Sequence, residues 1–265
     1  DPFARVLEAT MPIAILEAAG GPFDYVLHHN MDAPLFTAVS VTKFTANMML
    51  SALILIGLVL LTNKKSVVPV GFLRTTFEGL YTFIRDDMVY PAMGEKDGRP
   101  MMPYFLTLFS FILTMNLVGM LPLPVIGGAA TSQLSLTVVL AASVLLLTIG
   151  MGIAKTGIGG FFGHFVPSGV PMAILPLIVV IEFFGFFVKH AVLAVRLMAN
   201  MLGGHLVVGA FIGMIVLFQS YAMAGFSVPM MVFVNLLEIL VAFIQAYVFT
   251  LLSAMFIGGT MHPDH

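Results

Sequence analysis

The scarcity of charged side chains after residue 99 limits what this chain can fold into. Residues 100–265 contain only six Asp, Glu, Lys or Arg side chains, whereas residues 1–99 contain eighteen. The whole chain is 60% hydrophobic and 9% charged, while soluble domains are about 25% charged. A chain of this composition cannot cover its outside with polar groups, which excludes a water-soluble globule and a disordered chain. The sequence therefore predicts an all-α integral membrane protein.

Composition also excludes several classes of function. The chain has no cysteine, so disulfides, thiol catalysis and Cys-ligated metals are absent. Its net charge is −2 and it has no basic cluster, so we expect no nucleic-acid partner. Gly150–Thr156 approaches the phosphate-binding loop, but Ala154 stands where glycine must precede the lysine. We therefore expect no cofactor, no metal site and no catalytic site belonging to this chain alone.

The apolar runs predict five membrane helices. They cover about 45–62, 102–123, 133–154, 170–219 and 226–259. Residues 66–90 place large apolar side chains at helical intervals among charged ones, which predicts an amphipathic helix at the membrane interface. No polar linker divides the remainder, so we predict a single membrane domain, 45–265, after a non-membrane segment, 1–44. Six of the eleven basic residues lie between 63 and 100, which places that loop on the cytoplasmic or matrix side.

The last two apolar segments are too long to cross a membrane upright. Roughly fifty residues follow Pro171 without a convincing turn, and a bilayer core is only about 30 Å thick. Two upright helices would need a hairpin near Lys189 and His190, where there is no glycine or proline. The alternative, which we favour, is one long and steeply tilted helix. The segment 226–259 predicts a second helix of this kind.

The ionisable side chains of the membrane body fall mainly on these two segments. Glu182, Lys189 and Arg196 recur every seven residues, so they share one helical stripe, which Asn200 joins. His205 lies on roughly the opposite face. Charge within a span is costly and usually functional. Structural alternatives are a hydrated Glu182 near a membrane face and a Lys189 that extends to the interface.

The final segment supplies Glu238 and Gln245, which are seven residues apart on one face. Arg196 stays protonated at any relevant pH, whereas His205 and Glu238 can gain and lose protons near neutrality. A fixed cation beside separate titratable groups suits directional proton transfer, because the cation blocks a direct leak. Structural roles are also open: Arg196 and Glu238 could form an ion pair, and His205 could be a packing residue. Asn200 and Gln245 could join the two helices by hydrogen bonds.

Two runs of residues carry a resemblance to a known family: HAVLAVRLMANMLGGHL at 190–206 and LLEILVAFIQAYVFTLL at 236–252. The first is similar to the signature of subunit a of the F-type ATP synthases and the second to its final helix, and the resemblance covers about 100–258. Residues 115–122, MNLVGMLP, are similar to the end of its third helix. The resemblance implies a proton-conducting stator subunit. It would offer two offset half-channels to a rotating ring of c subunits, so that proton flow drives ATP synthesis.

The resemblance also implies roles for individual residues. Arg196 takes the position of the arginine that faces the rotor carboxylate and separates the half-channels. Glu182 matches an acidic residue toward the outlet. Four further residues match positions that line or neighbour the inlet: Asn200, His205, Glu238 and Gln245. The implied partners are the c-ring, other membrane and peripheral-stalk subunits, the lipid bilayer and protons.

Two features of the sequence favour one cellular membrane over another. Many bacterial members carry Glu at the position of His205 and His at the position of Glu238, and the exchanged arrangement resembles mitochondrial and alphaproteobacterial members. The chain also begins without Met, which fits a processed organellar protein. We therefore expect the mitochondrial inner membrane, with the bacterial plasma membrane as the alternative. The alternative function is a stand-alone proton-coupled secondary transporter, although the sequence shows no inverted repeat.

Overall fold

The computed structural model describes residues 34–36, 39–62, 71–121, 129–163, 165–166 and 174–261. A short antiparallel hairpin, β1 (Pro34–Phe36) and β2 (Val39–Thr42), precedes the helices. Nearly all of the other described residues are helical, which confirms the predicted all-α class. Most of the predicted non-membrane segment, 1–44, lies outside the described residues.

Within the described residues, six helices and two short turns follow the hairpin. They are α1 (Lys43–Thr62), α2 (Phe72–Phe83), a π-helical turn (Ile84–Val89), α3 (Tyr90–Gly119), a 3-10 turn (Ala130–Ser132), α4 (Leu134–Gly163), α5 (Leu175–Phe218) and α6 (Tyr221–Met261). Five helical stretches among the described residues are long and apolar enough to cross a membrane, as predicted. They are α1, the run that ends with α3, α4, α5 and α6.

Two glycines with positive φ interrupt the helices that contain them. Gly94 has a φ of 76°, so the interfacial part of the chain is set off from the membrane-spanning part of α3. Gly157 has a φ of 74° and interrupts α4 shortly after the predicted end of that span at 154. Helix α3 ends at Gly119, four residues before the predicted end at 123. The predicted start of the interfacial helix, at 66, lies outside the described residues.

The two longest helices have the predicted form. Helix α5 contains 44 residues and α6 contains 41, so each is about 60–66 Å long at 1.5 Å per residue. Helix α5 continues through Lys189 and His190 without a hairpin. Because a hydrocarbon core is about 30 Å thick, neither helix can stand upright within it. The chain turns between them at Gln219, which has a left-handed φ of 45°.

The buried core lies where α3 packs against α6, and α5 extends it. Its largest fully buried side chains are Phe105, Phe109, Ile112 and Met115 from α3, Leu193 and Leu197 from α5, and Phe249 and Ile257 from α6. The π-helical turn adds Ile84, Met88 and Val89, so the interfacial segment is docked on the bundle. Large apolar side chains also remain on the outer surface, including Leu60 and Leu146. Such an exterior suits lipid or partner helices rather than water.

Close packing of α6 on the interfacial segment generates a stability prediction. A Cβ atom added at Gly258 would meet the carbonyl oxygen of Ala92 and would lie 3.2 Å from Cγ of Met93. A Cβ atom at the adjacent Gly259 would meet nothing within 4 Å. Gly258→Ala is therefore expected to lower the free energy of unfolding by about 1–3 kcal/mol, since overpacking forces the backbones apart.

Gly259→Ala is the matched control, and it is expected to cause no loss because alanine favours a helix over glycine by about 1 kcal/mol. Thermal unfolding of the purified variants in detergent measures both changes. Equal transition temperatures for the two variants would contradict the close approach.

Candidate functional site

Helices α5 and α6 pack antiparallel and bring polar side chains together at two positions along their interface. Asn200 of α5 contacts Gln245 of α6, and His205 of α5 contacts Glu238 of α6. Moving five residues along α5 thus corresponds to moving back seven along α6. This register brings four of the six predicted site residues together along one helix–helix interface.

His205 and Glu238 form the more deeply placed pair. Nδ1 of His205 lies 3.6 Å from Oε1 of Glu238, and the two side chains are only 17% and 4% exposed. On the other edge of the imidazole, Nε2 accepts a hydrogen bond of 3.1 Å from the backbone N–H of Ala129. The structure therefore sets a titratable carboxyl group against one edge of a histidine ring whose other edge is held by a backbone hydrogen bond.

Asn200 and Gln245 form the second pair. Nδ2 of Asn200 donates to Oε1 of Gln245 over 2.6 Å. Gln245 is buried, whereas Asn200 reaches the exposed side of α5. The pair thus connects the buried interface to the outer face of the helix, as an interhelical hydrogen bond between amides can.

Arg196 lies apart from both pairs. Its side chain is on the exposed face of α5, while Ala194 and Leu197 on the inner face are buried. No Asp or Glu among the described residues lies within 4.0 Å of its guanidinium group. The structural alternative of an Arg196–Glu238 ion pair is therefore wrong, because Glu238 faces His205 in the interface behind α5.

Glu182 and Lys189 share the exposure of Arg196. Both are on the outer side of α5, and the described residues offer neither of them an ion-pair partner. The predicted residues thus separate into two sets. One is an interface set between α5 and α6, and the other is an exposed set along α5 that includes Arg196.

The sequence analysis gave no role to a third polar group that borders the site. Oγ1 of Thr131 donates to Oδ1 of Asn116 over 2.7 Å, and Nδ2 of Asn116 donates to the carbonyl oxygen of Ala242 over 3.4 Å. Asn116 and Thr131 are fully buried. The adjacent backbone N–H of Ala129 binds His205, and no side-chain pattern could have indicated it. The described residues contain no group of three or more potential metal ligands.

Comparison with known proteins identifies a family. The model of the ATP synthase A chain family matches residues 45–258, which run from the first turn of α1 to the last turn of α6. An ATP synthase subunit a of Myxococcus xanthus is 39% identical over 235 residues, covering 86% of this chain and 76% of the relative. One from Chlorobium phaeobacteroides (strain BS1) is 35% identical over 271 residues, covering 93% and 78%.

A relative from Anaeromyxobacter sp. (strain Fw109-5), also an ATP synthase subunit a, is 38% identical over 249 residues. The match covers 91% of this chain but only 60% of that relative's length. The comparisons give no support to a stand-alone transporter. Since the family model covers most of the chain and these relatives agree with it, the chain belongs to the subunit a family of ATP synthases.

Proposed function

We propose that this chain is the proton-conducting stator subunit of an F-type ATP synthase. Its single membrane domain, 45–265, would provide two offset half-channels to the carboxylates of a rotating ring of c subunits. Proton flow along this route would be coupled to ATP synthesis elsewhere in the complex. Membership of the family and the arrangement of polar residues on α5 and α6 support the proposal.

The observation that carries the proposal is the exposed position of Arg196. A guanidinium group stays charged at any relevant pH, and placing one at the centre of a membrane helix costs about 2.5–3.5 kcal/mol on insertion scales. No carboxylate among the described residues offsets that cost. An acidic side chain on a neighbouring chain would do so, and a rotor carboxylate is a partner of this kind.

The surface around Arg196 is suited to such a partner. The exposed side of α5 carries large apolar residues before and after the arginine: Phe184, Phe187, Val188, Val192, Val195, Leu206 and Val207. An apolar face around a fixed cation would allow a ring of helices to slide past. Each rotor carboxylate would be ionised as it passes, because a nearby positive charge favours the charged form.

The two sets of polar residues support separate routes to this point. The interface set of Asn200, His205, Glu238 and Gln245 would serve the inlet half-channel, with Asn200 as its end near the rotor. Glu182 lies fourteen residues before Arg196, about 21 Å along the helix, and would serve the outlet. Arg196 stands between Glu182 and Asn200 along α5, so a proton could not pass directly from the inlet to the outlet.

The partners follow from the complex that we propose. They are the c-ring, further membrane and peripheral-stalk subunits, lipid and protons. The relatives named above are bacterial, so they favour the bacterial plasma membrane. They do not support the mitochondrial inner membrane that the exchanged His205 and Glu238 favoured.

Replacing Arg196 tests the proposed function. Arg196→Ala is expected to abolish proton-driven ATP synthesis, because the fixed charge between the half-channels is lost. The measurement is ATP synthesis by the purified complex in vesicles after an imposed pH gradient. Lys189→Ala is the matched control, since Lys189 is another exposed cation on the same helix, and it is expected to retain most of the activity. Normal coupled synthesis by Arg196→Ala would overturn the proposal.

Gly204 generates a second prediction, because it lets Glu238 lie against α5. A Cβ atom added there would be 2.5 Å from Oε1 and 2.7 Å from Cδ of Glu238. Gly204→Ala is therefore expected to displace the carboxyl group and slow proton-driven synthesis about tenfold, equivalent to about 1.4 kcal/mol in the barrier.

The adjacent Gly203 provides the control, since a Cβ atom there would meet nothing within 4 Å. Gly203→Ala is expected to keep close to the normal rate in the same vesicle assay. If both variants were equally active, the position of Glu238 against α5 would not matter for proton transfer.

A further inference from the structure

The turn that leads into α4 touches the His205–Glu238 pair through its backbone. Ala129 is extended, with φ of −67° and ψ of 126°, and the 3-10 turn Ala130–Ser132 follows it. Its N–H donates to Nε2 of His205 over 3.1 Å. Ala129 is fully buried, and it packs with Met201 of α5 and Ala242 of α6. The turn is thus a third side of the site, beside the two long helices.

This hydrogen bond determines where the imidazole carries its proton. A backbone N–H can only donate, so Nε2 must present its lone pair. A neutral histidine with an accepting Nε2 bears its hydrogen on Nδ1. Nδ1 is the ring nitrogen that faces Oε1 of Glu238, at 3.6 Å. The Ala129 N–H therefore selects the tautomer whose N–H is directed at the carboxyl group.

We propose that the 129–132 turn is a positioning element that holds His205 as the neutral tautomer protonated on Nδ1, with this N–H directed at Glu238. Nε2 cannot take up a proton while it accepts the N–H of Ala129. In this arrangement His205 presents an N–H toward the Glu238 carboxyl group, 3.6 Å away, and does not pass a proton across its ring. The inference rests on the proposed function for its consequence in proton transfer, but not for the tautomer itself.

The turn is itself held by buried contacts. Oγ1 of Thr131 donates to Asn116 of α3 over 2.7 Å, and Asn116 donates onward to the carbonyl oxygen of Ala242 in α6. Ser132 closes the turn with two bonds to the carbonyl oxygen of Ala129, from its N–H and its hydroxyl group. On the far side, a Cβ atom at Gly119 would meet the backbone of Ala129. Helices α3 and α6 together therefore aim the N–H at His205.

Among the described residues, a titratable group lies against His205. Glu238 faces it from α6. The 129–132 turn itself contributes only Ala, Thr and Ser side chains. The neutral backbone N–H of Ala129 thus binds Nε2 on one edge of the ring, and the Glu238 carboxyl group lies 3.6 Å from Nδ1 on the other.

Solid-state NMR of the intact complex with ¹⁵N-labelled histidine tests the tautomer directly. The signals of His205 are those that disappear in His205→Asn. We expect a protonated Nδ1 and an unprotonated Nε2. A proton on Nε2, in either the other neutral tautomer or the imidazolium form, would overturn the proposal. This readout needs no proton transport, so it is independent of the outcome of the Arg196 test.

A variant of the turn tests the positioning role. Thr131→Val removes the bond to Asn116 at nearly constant volume. It is expected to mix the His205 tautomers in the NMR spectrum and to slow proton-driven synthesis about two- to tenfold, as for the loss of one hydrogen bond. Thr131→Ser restores the hydroxyl group and is expected to restore both readouts.

Thr137→Val is the matched control, because Thr137 is equally buried but donates to carbonyl groups of Gln133 and Leu134 nearby in its own chain segment. It is expected to leave the His205 signals unchanged. An unchanged His205 spectrum in Thr131→Val would overturn the positioning role of the turn, as would an equal change in the Thr137 variant.

Discussion

The close antiparallel packing of α5 on α6 is the interaction on which the rest of the site depends. Both helices exceed twice the thickness of the hydrocarbon core, so they tilt and share a long interface. Gly204 on α5 and the buried Ala242 on α6 keep that interface narrow. Small residues permit such an approach, and van der Waals packing then replaces the hydrophobic effect as the attraction between helices. The register of this packing decides which polar side chains meet.

Many polar groups inside the membrane body follow one physical rule, although Oε1 of Glu238 and Nε2 of Gln245 are buried without a hydrogen-bond partner in the described bundle. A buried polar atom in hydrocarbon requires a partner. Asn116, Thr131, Asn200 and Gln245 all make hydrogen bonds within the described bundle. Arg196 differs from these groups, because it is charged and exposed on α5 without a described counter-ion, as are Glu182 and Lys189. In the complex that we propose, the counter-ion of Arg196 is a carboxylate of another chain.

Much of the fold was predictable from the sequence because the bilayer imposes length and polarity on each helix. The run of residues past Lys189 and His190 without glycine or proline predicted one long α5, and the structure has it. Boundaries were less accurate where glycine conformation decides them. Gly157 carries a left-handed φ inside α4, and nothing in the local sequence distinguishes it from the neighbouring glycines. The packing of Ile84, from the interfacial segment, against the bundle was also not predictable, because it depends on core residues that are distant in the sequence.

For the site, the sequence by itself determined the candidate residues, because charged and titratable side chains are rare in a membrane body and helical periodicity sorts them by face. It placed Glu182 and Arg196 on one stripe and His205 away from it. Only the tertiary structure decided that Glu238 meets His205 rather than Arg196, since that choice depends on the register of α6 against α5. The contact of Ala129 with His205 was also decided there. A backbone N–H is present at nearly every residue, so only the folded chain shows which one is aimed at a side chain.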